Sequence, residues 1–254
     1  MCIRDRYKTI KILPALIQKL YTGYGLVDQQ LTKYPPLGIR KRTAREVRKK
    51  VEELIQIFEV ANHLSAIGQY DLAATSYHYI SKYYQGPEIL NNEGIAYALH
   101  AINFGDNNVD QYLYPLELDW STRLIKPGLL EGDRALSPED RRYRQKFLIK
   151  ALDTFKKALL LNPHYFTADL NIICVMTLMG NYQQAIDYYT SNQVKFIATN
   201  YEQRAKVNMA LAIAKAASND WNLINEAKTT WGQYALSNIP AISCLLYTSD
   251  AADE

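Results

Sequence analysis

The chain has 254 residues, of which 48% are hydrophobic and 22% charged, enough for one large or two ordinary globular domains. A balance of 29 basic against 26 acidic residues gives a formal charge of +3, which is not that of a dedicated nucleic-acid binder. No run of about 18 apolar residues is present to span a membrane. Twenty tyrosines suit helix packing in which the ring is buried and the hydroxyl stays wet.

The two ends are read together. Met1–Arg6 (MCIRDR) and Cys244–Thr248 (CLLYT) back-translate into one DNA element on opposite strands. That element resembles a transposase-type sequencing adapter, with Ser249–Glu254 as its continuation. Residues 1–6 and 244–254 are therefore expected to be adapter-derived, leaving a native segment of about Tyr7 to Ser243 from inside a longer gene. Subtracting Arg4 and Arg6 from the 29 basic residues, and Asp5, Asp250, Asp253 and Glu254 from the 26 acidic ones, leaves a charge of +5. Cys174 becomes the only native cysteine, which allows neither an internal disulfide nor a thiolate zinc site.

Residues 7–43 are expected to be an N-terminal helix and linker, for which one reading is the tail of a preceding domain. Ile10 to Tyr21 reads as helix interrupted at Pro14, and Thr22 to Gly38 as loop. Thr22–Gly25 (TGYG) lacks the lysine and the preceding strand of a phosphate-binding loop. Thr43 and Glu46 form a capping box that opens a helix from about Ala44 to Ile67. The basic run Arg40, Lys41, Arg42, Arg45, Arg48, Lys49 lies across that start. Cations there oppose the helix dipole, relieved in part by Glu52 and Glu53 four residues on. The run is a solvated linker face, a patch for an acidic protein or, least favoured, a patch for nucleic acid or anionic lipid. It lacks the interleaved aromatics of an RNA-binding module.

From Val51 the chain repeats itself. Gly68, Tyr70, Ala73 and Tyr77 recur as Gly180, Tyr182, Ala185 and Tyr189 at the same spacing. Between them, Ala151, Phe155, Ala158 and Pro163 follow a small-x3-aromatic-x2-small-x4-Pro pattern. The small residue lets two helices approach, the aromatic one turn later fills the gap, glycine ends a helix and proline forbids its continuation. First helices precede these second helices. Ile57, Val60, Ala61 and Leu64 share one face by their spacing. Asn91–Leu99 (NNEGIAYAL) puts Gly94 at a close contact and Tyr97 in a packed position. Leu170, Ile172, Ile173 and Met176 serve the third pair. A fourth pair runs from about Glu202 to Ala217, then through Ala227 and Trp231.

The second pair is interrupted. Ala151 lies about 45 residues beyond the place an unbroken 34-residue repeat would give it. The insert, about 104–136, opens polar and then alternates Tyr112, Tyr114, Leu116 and Leu118, with Pro115 against a central strand. An apolar insert of this length is expected to pack along the groove or the outer face of the helices. It ends at Ser137-Pro138-Glu139-Asp140, an N-cap followed by an N1 proline and an acid.

These spacings resemble the tetratricopeptide repeat family, bacterial type. The resemblance implies an all-α fold, a right-handed superhelical array of antiparallel helix pairs, over residues 44–243. It also implies a protein-interaction scaffold that binds a peptide or partner domain in a concave groove lined by first helices. The candidate groove residues are Phe58, Asn62, Asn92, Ile95, Asn171 and Cys174. An open groove requires Asn62, Asn92 and Asn171 to face one channel with amides free of internal partners. A terminal-carboxylate clamp is disfavoured, because Phe58 stands at the lysine position and Asn171 at the arginine one.

No catalytic, cofactor or metal site is expected. His63, His78, His100 and His164 have no paired-ligand spacing, and neither a nucleophile elbow nor a Walker or dinucleotide loop occurs. The expected partner is a protein or peptide, including another domain of the same full-length chain, rather than nucleic acid. The alternative is a non-catalytic accessory region of a larger enzyme, for example a bacterial protease.

Overall fold

In the computed structural model, which describes residues 39–104, 114–116, 137–197, 199–218 and 220–234, all regular secondary structure is helical. Within 39–51 it describes the backbone and the Lys49 side chain. The helices are Ile39–Ala66 (α1), Tyr70–Ser81 (α2), Pro87–Ile102 (α3), Pro138–Leu161 (α4), Phe166–Leu178 (α5), Tyr182–Ser191 (α6), Gln193–Ile197 (α7), Tyr201–Ala217 (α8) and Trp221–Tyr234 (α9). The readings of residues 1–38, 105–113, 117–136 and 235–254, including both ends, lie outside the described residues.

Two turns show why the glycines recur. Gly68 and Gly180 have φ of +83° and +78°, where a side chain is strained. At each, the glycine N–H donates to the carbonyl three residues back, Ser65 at 3.4 Å and Thr177 at 2.9 Å. The next residue's N–H reaches two residues further back, Gln69 to Leu64 and Asn181 to Met176, both at 2.9 Å. This paired closure of a helix end satisfies carbonyls that the helix leaves orphaned. An added Cβ would meet nothing within 4 Å at either glycine, so backbone conformation rather than space selects glycine here.

Helix starts follow local chemistry less uniformly. Ser137 caps α4, its hydroxyl oxygen accepting from the Asp140 N–H at 3.0 Å, with Pro138 at N1 as expected. Asn200 and Gln203 form a reciprocal capping box at the start of α8. The Thr43–Glu46 box, by contrast, does not open α1, which already begins at Ile39. Arg and Lys are good helix formers, and the Ile39–Arg42 run continues the helix past the cap.

The small and aromatic positions pack as their spacing predicts. Ala73, Ala151, Ala158, Ala185 and Ala227 are fully buried, as are Tyr77 and Phe155. Gly94 is the close contact: a Cβ there would lie 2.5 Å from the Phe155 ring. Tyr189 is half-buried and stacks on Phe196 at 5.4 Å.

The face expected for α1 needs correction. Ala61 is buried and Ile57 and Leu64 half-buried, but Val60 is 54% exposed. The buried stripe is instead Leu54, Phe58, Ala61 and Ser65, four apart and then three, which packs with Tyr77 and Ile80 of α2.

Helices pack mainly on their chain neighbours, α1 on α2, α2 on α3, α3 on α4, α4 on α5, α5 on α6 and α8 on α9. Helix α3 also touches α5, α5 touches α8, and α6 touches α8. Helices α3, α5 and α8, which touch in succession, are termed the inner series, and α2, α4, α6 and α9 the outer helices. Burial follows this division. Of the 24 residues of α4, six are buried, all on one stripe through Arg144, Leu148, Ala151, Phe155 and Ala158. Of the 13 residues of α5, ten are buried, which leaves none of its faces open. Helix α3 is closed in the same way, from Glu88 to Ala96 without a break.

Candidate functional site

The inner series carries its polar groups inside. Asn91 and Asn92 on α3 and Asn171 on α5 are each 0% exposed. The Asn171 amide donates from Nδ2 to Asn91 Oδ1 at 2.8 Å, and Asn91 Nδ2 donates to Asn92 Oδ1 at 3.5 Å. A buried amide left unpaired costs about 1–3 kcal/mol, so these links help fix the register of α3 against α5. Asparagine is suited to this place because it donates and accepts at once.

Each sequence-derived groove residue is located by this arrangement. Ile95 and Cys174 are fully buried in the cluster that joins α3, α4, α5 and α8. Phe58 belongs to the α1–α2 packing stripe, edge-on to Tyr77 with ring centroids 6.0 Å apart. Asn62 is half-buried, and its Oδ1 accepts from the Tyr77 hydroxyl at 2.7 Å. The expectation of free amides is therefore corrected: Asn62, Asn92 and Asn171 all have partners within the chain. Phe58 and Asn62 pack with α2, Asn171 is linked to Asn92 through Asn91, and Ile95 and Cys174 lie in the large core cluster of α3 to α8. Of the basic run, Lys49 is exposed, and the side chains of Arg40, Lys41, Arg42, Arg45 and Arg48 lie outside the described residues.

No family model, curated protein or solved structure matches this chain. The reading of the site therefore rests on its own geometry.

Sequence reasoning missed Asn91, which bridges the other two asparagines. The doublet Asn91-Asn92 was its signal: on a helix, adjacent residues point about 100° apart, so one reaches across to α5 while the other faces elsewhere. It also missed the polar clusters at the edges of the inner series. Glu93, almost fully buried, meets His78 Nδ1 at 2.9 Å and accepts from the Tyr97 hydroxyl at 3.3 Å. Burial first, and then the Glu93 charge, pushes the Tyr97 hydroxyl up to about 12. Glu88 accepts from the Tyr84 hydroxyl at 2.8 Å. Asp169 accepts from the Tyr188 hydroxyl and lies 3.7 Å from Lys195. Burial raises the Asp169 carboxyl above its ordinary range, against the lowering effects of Tyr188 and Lys195.

These clusters tie one helix to another. His78 and Glu93 link α2 to α3, and Asp169, Tyr188 and Lys195 link α5 to α6 and α7. An open, polar depression lies where the Gly180–Gln184 turn approaches Ser218, Asp220 and Leu223. It carries one carboxylate and no histidine or cysteine. Among the described residues no helix is long and apolar enough to cross a membrane.

Proposed function

We propose that the chain is a tetratricopeptide-type interaction scaffold whose inner helix series holds an extended peptide or a segment of a partner protein. The observation that carries this reading is the division of the helices. Outer helices bury one stripe and pack mainly on their chain neighbours, with α6 also on α8, while α3, α5 and α8 touch one another in succession. The repeated glycine turns and the Ala–aromatic ladder support the same reading. The α3–α5 face carries residue types that suit an extended backbone, the Asn91, Asn92 and Asn171 amides beside Ile95 and Cys174, and all of them are buried and the amides paired within the chain in this form.

The test is amide exchange. Peptides selected from a displayed library against the full chain should slow exchange in α3 and α5 and leave α4 and α6 unchanged. Protection confined to the outer helices would contradict the reading.

A further inference from the structure

In an array of helix pairs an inner helix touches its own partner, the preceding outer helix and the inner helices on either side. One face is left over. In α3 and α5 no face is left over: Asn91, Asn92 and Ile95, and Asn171 and Cys174 across from them, are 0% exposed. Something in the chain covers that face.

The described residues contain one non-helical stretch that is buried throughout, Tyr114-Pro115-Leu116. Tyr114 is 1% exposed and Leu116 0%, and both belong to the core cluster that spans α3 to α8, including Leu90, Ile95 and Leu99 of α3, Leu148 and Phe155 of α4, and Leu170 and Cys174 of α5. The far sides of the outer helices are not covered. Asp71, Leu72, Thr75 and His78 of α2 are exposed, as are Lys156, Lys157 and Leu160 on the outside of α4. A segment lying on that side would have covered them. Proline also fits the part, because it lacks an N–H and biases the residue before it to an extended backbone. The remaining polar groups of a buried, non-helical backbone must find partners, and this inner face carries three amides.

We propose that Tyr114-Pro115-Leu116 lies across the α3–α5 face as a ligand supplied by the chain itself. The external partner of that face is then an extended segment of the same chemistry, an aromatic residue, a proline and an aliphatic residue in succession. The proposal rests on the scaffold reading and adds to it the occupant and the partner class. Binding in trans requires displacement of the chain's own copy, so the protein as it stands is held in a closed state.

Cys174 is the reporter, in a background where Cys2 and Cys244 are changed to serine. The thiol should react slowly with 4,4′-dithiodipyridine in that parent. In Tyr114→Ala/Leu116→Ala it should react at least about tenfold faster, with the far-UV circular dichroism retained. Gly68→Ala, which weakens a turn remote from Cys174, sets the rate expected from lost stability alone. The synthetic peptide Tyr-Leu-Tyr-Pro-Leu-Glu-Leu should then bind the double variant at least about tenfold more tightly than the parent, and should restore protection of Cys174. If the double variant loses helicity, Leu116→Ala alone is scored in the same way. Labelling no faster than in Gly68→Ala overturns the covering segment while leaving the scaffold reading in place. Faster labelling without peptide binding overturns the partner class and the scaffold reading together.

Discussion

Helices α5 and α6 are adjacent in the chain and joined by one glycine turn, yet ten of 13 residues are buried in the first and one of ten in the second. Composition follows the difference. Helix α5 reads LNIICVM through its middle, while α6 presents Gln183, Gln184 and Asp187 outward and buries Ala185. A helix apolar all round is one that others surround, and a helix with one small buried residue is one that leans on a neighbour. The pair shows that, among the described residues, α5 lies in the interior and α6 at the surface.

Removing a side chain should therefore cost most where an outer helix reaches inward. Phe155 is the large residue that α4 sends toward α3, fully buried against Gly94. Phe155→Ala is expected to lose about 3–5 kcal/mol in urea unfolding. Leu160→Ala, on the 82% exposed side of the same helix, should change stability by less than about 0.5 kcal/mol. Equal losses at the two positions would erase the distinction between the faces of α4.

Overpacking is the next largest effect. Ala151 is 0% exposed in the same stripe, so Ala151→Leu should destabilise by about 1–3 kcal/mol. A neutral result would mean that α4 is not seated where its alanines place it. Gly68→Ala and Gly180→Ala sharpen the comparison between repeats. Both glycines hold positive φ in the same paired closure with open space around them, so each should lose about 1–2 kcal/mol and the two losses should be alike. A large loss at one turn alone would show that the two are not equivalent.

The smallest effect concerns pH. Burial raises the folded-state pKa of Asp169, so the folded protein holds this proton more tightly than the unfolded chain. The stability from this group is fully present below the unfolded-state pKa and is lost as pH rises through the raised folded one. Asp169→Asn keeps an oxygen to accept from Tyr188 and removes the titration. Unfolding free energies measured from pH 4 to pH 7 should therefore lose this group's fall with rising pH. An unchanged difference between variant and parent across that range would remove Asp169 from the account.

Much of the fold was legible because its determinants are local. The two glycine turns, the Ser137 cap and the Ala–aromatic ladder each depend on a few neighbouring residues, and each lies where spacing predicts. The α1 stripe was misread because Val60 and Phe58 fit helical spacing equally well, and packing with Tyr77 favours Phe58. The site was less legible. Asn171 reaches α3 through Asn91 rather than Asn92, and the burial of Ile95 and Cys174 depends on what else the chain lays over them. Periodicity along one helix carries no record of a segment some twenty residues away along the sequence.

The interlock of Gly94 with Phe155 is where the packing of inner on outer helix is tested most directly, by a double-mutant cycle in urea. A methyl group at 94 would lie 2.5 Å from the aromatic ring, so Gly94→Ala should destabilise the parent by about 1–3 kcal/mol. In a Phe155→Leu background the ring is gone, and the same substitution should become neutral or stabilise by up to about 1 kcal/mol, the helix propensity of alanine over glycine. That change of sign is the predicted result. Additive effects, with Gly94→Ala costing the same in both backgrounds, would contradict it and with it the stacking of the helix pairs.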